Sequence, residues 1–222
     1  MAFQISEYNS IKKELESYQA KLVAVSKKKP IEDIQEAIDA GQKSFGENYV
    51  QELVEKEAHF KRKVNWHFIG HLQSNKVKMI APFVTLIQGV DSFKLLQEIN
   101  KEGKKIDKVI DCLIQVHIAQ EETKFGFSEE EVEALMLFPE LAELENIRIK
   151  GLMGMASLSA DNSLLKKEFS SLKNLFNNSK LMSFDPDAFD TLSMGMSSDY
   201  KIALDCGSTM IRIGSTLFGE RK

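Results

Sequence analysis

The chain has 222 residues, 43% of them hydrophobic, which is enough apolar material for one sizeable core or two small ones. Its 29 basic and 33 acidic residues give a formal net charge of -4, so no global positive field recruits nucleic acid or an anionic membrane, although local basic patches remain allowed. The N-terminal MAFQISEYNSIKKELESYQ lacks the basic start and apolar stretch of a secretion signal, and the longest apolar run, MIAPFVTLIQGV, falls short of the roughly 20 apolar residues a bilayer requires. Cys112 and Cys206 lie far apart and match no metal spacing, so the expectation is a soluble protein of the reducing cytoplasm.

In chain order, a leading helix is predicted over residues 4–19, followed by the strand KLVAVS at 21–26. Pro30 then opens the helix PIEDIQEAIDAG, which Gly41 closes. The strands SFGE, WHFIG, TLIQGV, CLIQVHI, IRIKGLM, TLSMG and TMIRIG follow, separated by polar segments of helical period. Among these, Ser128 with Glu131 reads as a capping box before VEALMLF. The segment 157–190 combines an amphipathic helix with a polar loop and compels no domain boundary. Counting KLVAVS, the strands number about eight, the number that closes a parallel barrel. The predicted architecture is therefore α/β: a single domain over residues 1–222, built as a (β/α)8 barrel of the TIM type with an extra N-terminal helix.

In such a barrel the chemistry sits on the loops after the strands, and phosphate commonly binds after strands 7 and 8. Here those loops read SMGMSSD and RIGST, glycine beside small hydroxyl residues before a helix start. Exposed N–H groups there suit a phosphate dianion, with Ser197 and Ser215 as further donors. Lys27, which follows the first strand, would neighbour both loops once the barrel closes. An amine beside a phosphate cradle can hold a phosphorylated aldehyde as a Schiff base. From the pattern alone Lys27 is equally a solvated charge in KKK, and Lys28 and Lys29 keep that reading.

The other candidates carry ordinary explanations. His67 and His71 have metal-like spacing without a further ligand cluster, so hydrogen bonding near the third strand is expected, with His71 approaching the pocket from its end. The methionines of GLMGM and SMGM are core fillers. Glu47, Glu52 and the remaining carboxylates form no catalytic dyad and are assigned to solvent or ordinary hydrogen bonds. Cys112 is expected to be buried and Cys206 partly exposed.

The blocks LVAVSKKKP, FGENYVQE, WHFIGHLQSNK, GLMGMA, LSMGMSSDY and GSTMIRIGSTLFGER resemble, in order and spacing, those of the pyridoxal 5'-phosphate homeostasis proteins, which are similar to the barrel domain of bacterial alanine racemase. The likeness covers nearly the whole chain, with one departure: the commonest family form has threonine where Lys28 stands. The resemblance implies pyridoxal 5'-phosphate as cofactor, Lys27 as its Schiff-base residue, and Met196, Ser197, Gly214 and Ser215 as the two halves of the phosphate cradle. It also implies that Arg212 faces the pyridine nitrogen and that Asn48 lies near the ring hydroxyl. A guanidinium can only donate, so it leaves that nitrogen without its own proton and the ring a weaker electron sink.

Racemases of this barrel type add a β-rich C-terminal domain and bring a catalytic tyrosine across a dimer interface, whereas this chain stops at FGERK. The expectation is thus an alanine-racemase-like barrel without the C-terminal β-domain, a monomeric carrier or buffer of pyridoxal phosphate with no catalytic residue and no metal, serving intracellular vitamin B6 homeostasis and passing cofactor to recipient enzymes. The rivals are an active amino-acid racemase and, of different chemistry, a phosphosugar aldolase that uses Lys27 without any cofactor.

Overall fold

Strands of nearly continuous apolar sequence need cover on both faces, and the computed structural model, which describes residues 3–121 and 125–219, supplies it by closing them into a barrel ringed by helices. The elements follow the predicted alternation: α1 (Ile5–Tyr18), β1 (Lys21–Val25), α2 (Ile31–Asp39), β2 (Ser44–Glu47), α3 (Val50–Phe60), β3 (Asn65–Phe68), α4 (Val77–Ile80), β4 (Leu86–Val90) and α5 (Phe93–Lys105). They continue with β5 (Ile110–Val116), α6 (Glu129–Met136), β6 (Ile147–Gly154), α7 (Asn162–Met182), β7 (Thr191–Ser193), α8 (Tyr200–Asp205), β8 (Met210–Ile213) and α9 (Ser215–Phe218). The strands pair in sequence order, all parallel, and β1 closes the ring on β8 in the register Lys21↔Met210 through Ala24↔Ile213. The end of the GSTMIRIGSTLFGER block, from residue 220 on, lies outside the described residues.

Local chemistry explains the helix starts. Ser128 Oγ accepts from the Glu131 N–H at 3.2 Å and Glu131 returns a carboxylate to the Ser128 N–H at 2.8 Å, the reciprocal box read from the sequence. Asp161 and Ser92 are simple N-caps of α7 and α5: Asp161 accepts from the N–H groups of Ser163 and Leu164, and Ser92 from that of Leu95. Among the described residues no helix is long and apolar enough to cross a membrane.

Alternation along the strands divides the core in two. Residues facing outward, such as Phe45, Trp66 and Ile211, pack with the helices in one large cluster, whereas Val23, Leu86, Leu113, Met153 and Met210 form a small separate cluster inside the barrel. The interior is completed by buried polar side chains, His67, Gln88, Gln115, Ser193 and Arg212. Cys112 is fully buried and Cys206 half-buried, and both are free thiols.

The β5–β6 pairing skips one residue: Cys112 faces Ile149 but Leu113 faces Gly151. Gly151 carries this irregularity at φ +142°, and a Cβ there would lie 1.9 Å from the Thr191 carbonyl oxygen on β7. Gly151→Ala is therefore expected to lower stability by at least about 2 kcal/mol, measured as a fall in urea midpoint at unchanged m-value.

Candidate functional site

Closure of β1 on β8 and β2 sets the loops after β1, β2, β7 and β8 side by side at the C-terminal end of the barrel. There they enclose a cavity of about 520 Å³, within the range of roughly 300–1,000 Å³ typical of small-molecule sites. Lys27, Asn48, Met196, Ser197, Arg212, Gly214 and Ser215 all line it, so the residues expected to bind the cofactor reach the same space.

The two glycine-serine loops are stitched together. The Arg212 N–H donates to the Gly195 carbonyl at 3.0 Å, and two residues on, the Gly214 N–H donates to Ser197 Oγ in a long, weak bond of 3.3 Å. Since Ser197 accepts in that bond, its hydroxyl hydrogen stays available for an anion. The Met196 N–H is committed to Asp199 Oδ1 at 2.6 Å, so Met196 contributes lining while the N–H groups that follow it form the open part of the loop. Helices α8 and α9 are each too short to build a sizeable dipole, and anion binding here rests on individual N–H and O–H donors. Gly195 is required by its backbone at φ +96°; Gly214 is not, because a Cβ there would meet Val25 at an ordinary 3.4 Å.

The three lysines after β1 have three different environments. Lys27 is half-buried and lines the cavity. Lys28 is exposed, sits in the left-handed region at φ +59° and donates its N–H to Glu52 Oε1 at 2.5 Å. Lys29, expected to be a solvated charge, instead reaches the end of α9 and donates to the carbonyls of Phe218 at 2.6 Å and Gly219 at 3.1 Å. Cationic side chains satisfy the last carbonyls of a helix in this way.

Beneath that turn lies a group the sequence reading missed. Lys56, on the buried stripe Val50, Leu53, Lys56 and Phe60 of α3, donates to the Ser26 carbonyl at 2.8 Å, to Glu47 Oε1 at 2.7 Å and to Glu52 Oε1 at 2.7 Å. Glu47 is fully buried and also accepts from Ser26 Oγ at 2.6 Å. Burial pushes its carboxyl upward in pKa, opposed by Lys56 and Ser26. Glu47 and Glu52, assigned above to solvent or ordinary hydrogen bonds, are thus the anionic partners of one buried ammonium that clamps the residues on either side of Lys27. The signal was a lysine in phase with an apolar helical stripe.

Arg212 is 3% exposed, with Nη1 donating to Ser193 Oγ at 2.7 Å and Nη2 to the Gly154 carbonyl at 3.0 Å. Burial lowers its pKa to about 10, with Asp199 opposing, so the guanidinium stays protonated at neutral pH. Ser193 Oγ passes its own hydrogen to Gln88 Oε1 at 2.7 Å, and Gln88 Nε2 lies 3.0 Å from His67 Nδ1. His71 stands apart from the cavity, its Nδ1 2.8 Å from Asp91 and its ring stacked on Phe125 at 4.3 Å; it lines a neighbouring hollow that shares Asn48. Among the described residues no cluster of three or more His, Cys, Asp or Glu side chains is placed to hold a metal ion.

The residues fit the cofactor that the sequence motifs imply. Asn48 Oδ1 is buried without a protein hydrogen-bond partner and the residue lines the cavity, so its amide has an acceptor to offer a hydroxyl-bearing ligand. With it stand an amine, a permanent cation and hydroxyl and N–H donors on two loops.

Comparison with known proteins agrees with this geometry. A profile of the alanine racemase N-terminal domain matches residues 6–222. A pyridoxal phosphate homeostasis protein of Pasteurella multocida is 42% identical over 205 residues, covering 90% of this chain and 86% of the relative. The structure of PipY of Synechococcus elongatus with PLP bound superposes at a TM-score of 0.87 and 30% identity over 97% of this chain and 99% of that one. Alanine racemase of Clostridium difficile shares the fold at a TM-score of 0.74 and 18% identity, this chain covering 55% of that one.

Removing one member of the buried cluster strands the other. Lys56→Met is expected to cost about 3–5 kcal/mol in chemical denaturation, and Glu47→Gln/Lys56→Met clearly less than that. His67 is neutral at pH 7, its pKa lowered from 6.5 to about 4, first by burial and then by Lys21. Since the unfolded imidazole takes up a proton near pH 6.5 and the folded one resists to about 4, this contribution is intact above 6.5 and is lost as pH falls through about 4. It amounts to ~3 kcal/mol, and His67→Gln should flatten the stability–pH curve in that window by this difference.

Proposed function

The chain belongs to the alanine racemase N-terminal domain family, and on that premise we propose that it is a pyridoxal phosphate homeostasis protein, which binds the cofactor covalently and reversibly and does not turn over amino acids. The observation that carries this reading is the convergence of Lys27, Asn48, Arg212 and the two glycine-serine loops on one cavity. Bound pyridoxal phosphate supplies an electrophilic aldehyde and an electron-withdrawing ring.

The protein's own residues do the rest. Ser197, Ser215 and the N–H groups beside them hold the phosphate, and the weak Gly214–Ser197 bond gives way to stronger charge-assisted ones. Lys27 presents its amine to the aldehyde, from a turn fixed below by Lys56 and at the neighbouring end of α9 by Lys29. Asn48 meets the ring hydroxyl. Arg212 donates to the ring nitrogen and keeps it unprotonated, which leaves the ring a weaker electron sink, an arrangement that suits racemase-like chemistry or none and disfavours transamination. A carrier gains from that arrangement, because bound cofactor is protected without being consumed.

In this reading the protein acts as a cytoplasmic monomer that buffers free aldehyde and releases it to cofactor-requiring enzymes. Purified protein mixed with pyridoxal phosphate is expected to turn yellow, and borohydride reduction with peptide mapping to place a pyridoxyl mass on Lys27 and none on a Lys27→Ala variant. An adduct on another lysine overturns the assignment, and inversion of L-alanine well above that of free cofactor overturns the carrier reading. Gly214→Ala separates cradle from scaffold: a Cβ there meets Val25 at an ordinary distance, so thermal stability should stay within about 1 kcal/mol of the parent, whereas cofactor affinity is expected to fall about tenfold or more because Gly214 and Val25 both line the cavity.

A further inference from the structure

At the opposite, N-terminal end of the barrel lies a second cavity, of about 640 Å³. Its wall carries Lys12, Lys21, Lys43 and Lys150 around the ring of His67, a concentration of cations that runs against the net charge of -4 on the whole chain. The carboxylate among the lining side chains, Asp111, is already gripped by Arg148 through two N–H···O bonds of 2.8 and 3.1 Å, and the nearby Asp190 pairs with Lys150 at 3.3 Å.

We propose that this cavity is a second ligand site, for a small molecule bearing phosphate groups, and that its occupancy is relayed to Arg212 through His67, Gln88 and Ser193. The direction of the hydrogen bonds carries the argument. Guanidinium has no acceptor, so Arg212 must donate to Ser193 Oγ at 2.7 Å. Ser193 then spends its single hydrogen on Gln88 Oε1 at 2.7 Å, which turns the Gln88 amide nitrogen toward His67 Nδ1 at 3.0 Å. Nδ1 is therefore the acceptor, and the neutral ring carries its hydrogen on Nε2.

His67 lines the basic cavity, so the chain that begins at the cofactor's arginine ends in a donor beside four ammonium-bearing side chains. A cation would be repelled there and an apolar ligand would strand the donors; an anion suits the histidine N–H and the ammonium groups of Lys12, Lys21 and Lys43, while Lys150 is already paired with Asp190. An anion accepting from Nε2–H polarises each bond behind it, up to the guanidinium. In consequence, filling the lower cavity changes how firmly Arg212 is held where it meets the upper one.

The relay rests on the pyridoxal phosphate reading, and the anion site does not, so the two are tested separately. Inorganic pyrophosphate is titrated calorimetrically into cofactor-free protein at constant ionic strength. Cofactor-free parent offers pyrophosphate both the upper cradle and the lower cavity, and one saturable site is expected to remain in Ser197→Ala/Ser215→Ala, which disables the upper cradle. Affinity should be weakened about tenfold or more in Lys12→Gln/Lys21→Gln/Lys43→Gln, whose positions are solvent-exposed and whose folding is checked by thermal melt. Binding that is absent, or that follows the serines and ignores the lysines, overturns the site.

For the relay, the rate of cofactor loss from loaded protein is measured with and without saturating pyrophosphate. A change of about threefold or more is expected in the parent, and none in Gln88→Leu. Histidine 15N spectra of the parent need no core variant: His67 should be the Nε2–H tautomer and its resonances should move on pyrophosphate addition. The Nδ1–H tautomer, or a rate of cofactor loss that pyrophosphate leaves unchanged, overturns the relay. If no loaded protein forms at all, the cofactor reading fails while the titration still decides the site.

Discussion

Parallel pairing of β1 with β8 is the constraint on which the rest of the molecule depends. Until that seam forms, Lys27 belongs to one end of the chain and Arg212, Gly214 and Ser215 to the other. The seam is long-range and entropically costly, and it is backed on both sides. Lys29 binds the carbonyls at the end of α9, and the Gln4 N–H donates to the Leu217 carbonyl at 2.8 Å, so both termini are fastened to the same corner. The site is therefore a product of topology first and of side-chain chemistry second: residues remote in sequence become neighbours because an eight-stranded parallel sheet has no other way to remove its edges.

Among the described residues two buried cations, Lys56 and Arg212, then define the electrostatics, and they are treated differently. Lys56 is compensated directly by Glu47 and Glu52, and an ion pair of that kind contributes little net stability while fixing geometry. Arg212 is held through neutral acceptors, a hydroxyl and a carbonyl, with Asp199 raising its pKa electrostatically. The first cation shapes the turn beneath the lysine without lending the cavity much field. The second keeps its charge facing the cavity, where a phosphate and a ring nitrogen both want donors.

The barrel was legible because its signals are periodic. Each predicted strand lies within a residue or two of its observed limits, and the capping box and the closing Gly41 at φ +96° are local chemistry that reads directly. Of the cavity-lining residues, Lys27, Ser197 and Ser215 were legible from their places after strands 1, 7 and 8, whereas Asn48, Met196 and Arg212 were legible only through the resemblance to a family. What escaped was the support. Lys56, Glu47 and Lys29 look like surface charges in one dimension, and their burial follows from helix phase and from where α9 ends, neither of which composition reports. Lys28, the position at which the family commonly has threonine, adopts φ +59°, a conformation easier for an unbranched side chain than for a β-branched one. The departure from the family pattern is thus compatible with the turn that presents Lys27.

Polar residues inside a barrel are expensive unless each finds a partner; here Gln115 donates to the Phe125 carbonyl and the other four meet that condition with a single directed chain. Its direction is set at the top. A carboxylate in place of Arg212 would accept from Ser193, and the hydroxyl would then have no hydrogen for Gln88 Oε1. The Gln88 amide would have to turn over and present its oxygen to His67 Nδ1, which could meet it only as the other tautomer or as imidazolium. The low pKa of His67 argues that this barrel does not hold the imidazolium cheaply. An arginine toward the cofactor cavity and a neutral, Nε2-protonated histidine toward the basic one are consequently a single choice, made once and enforced through the length of the barrel.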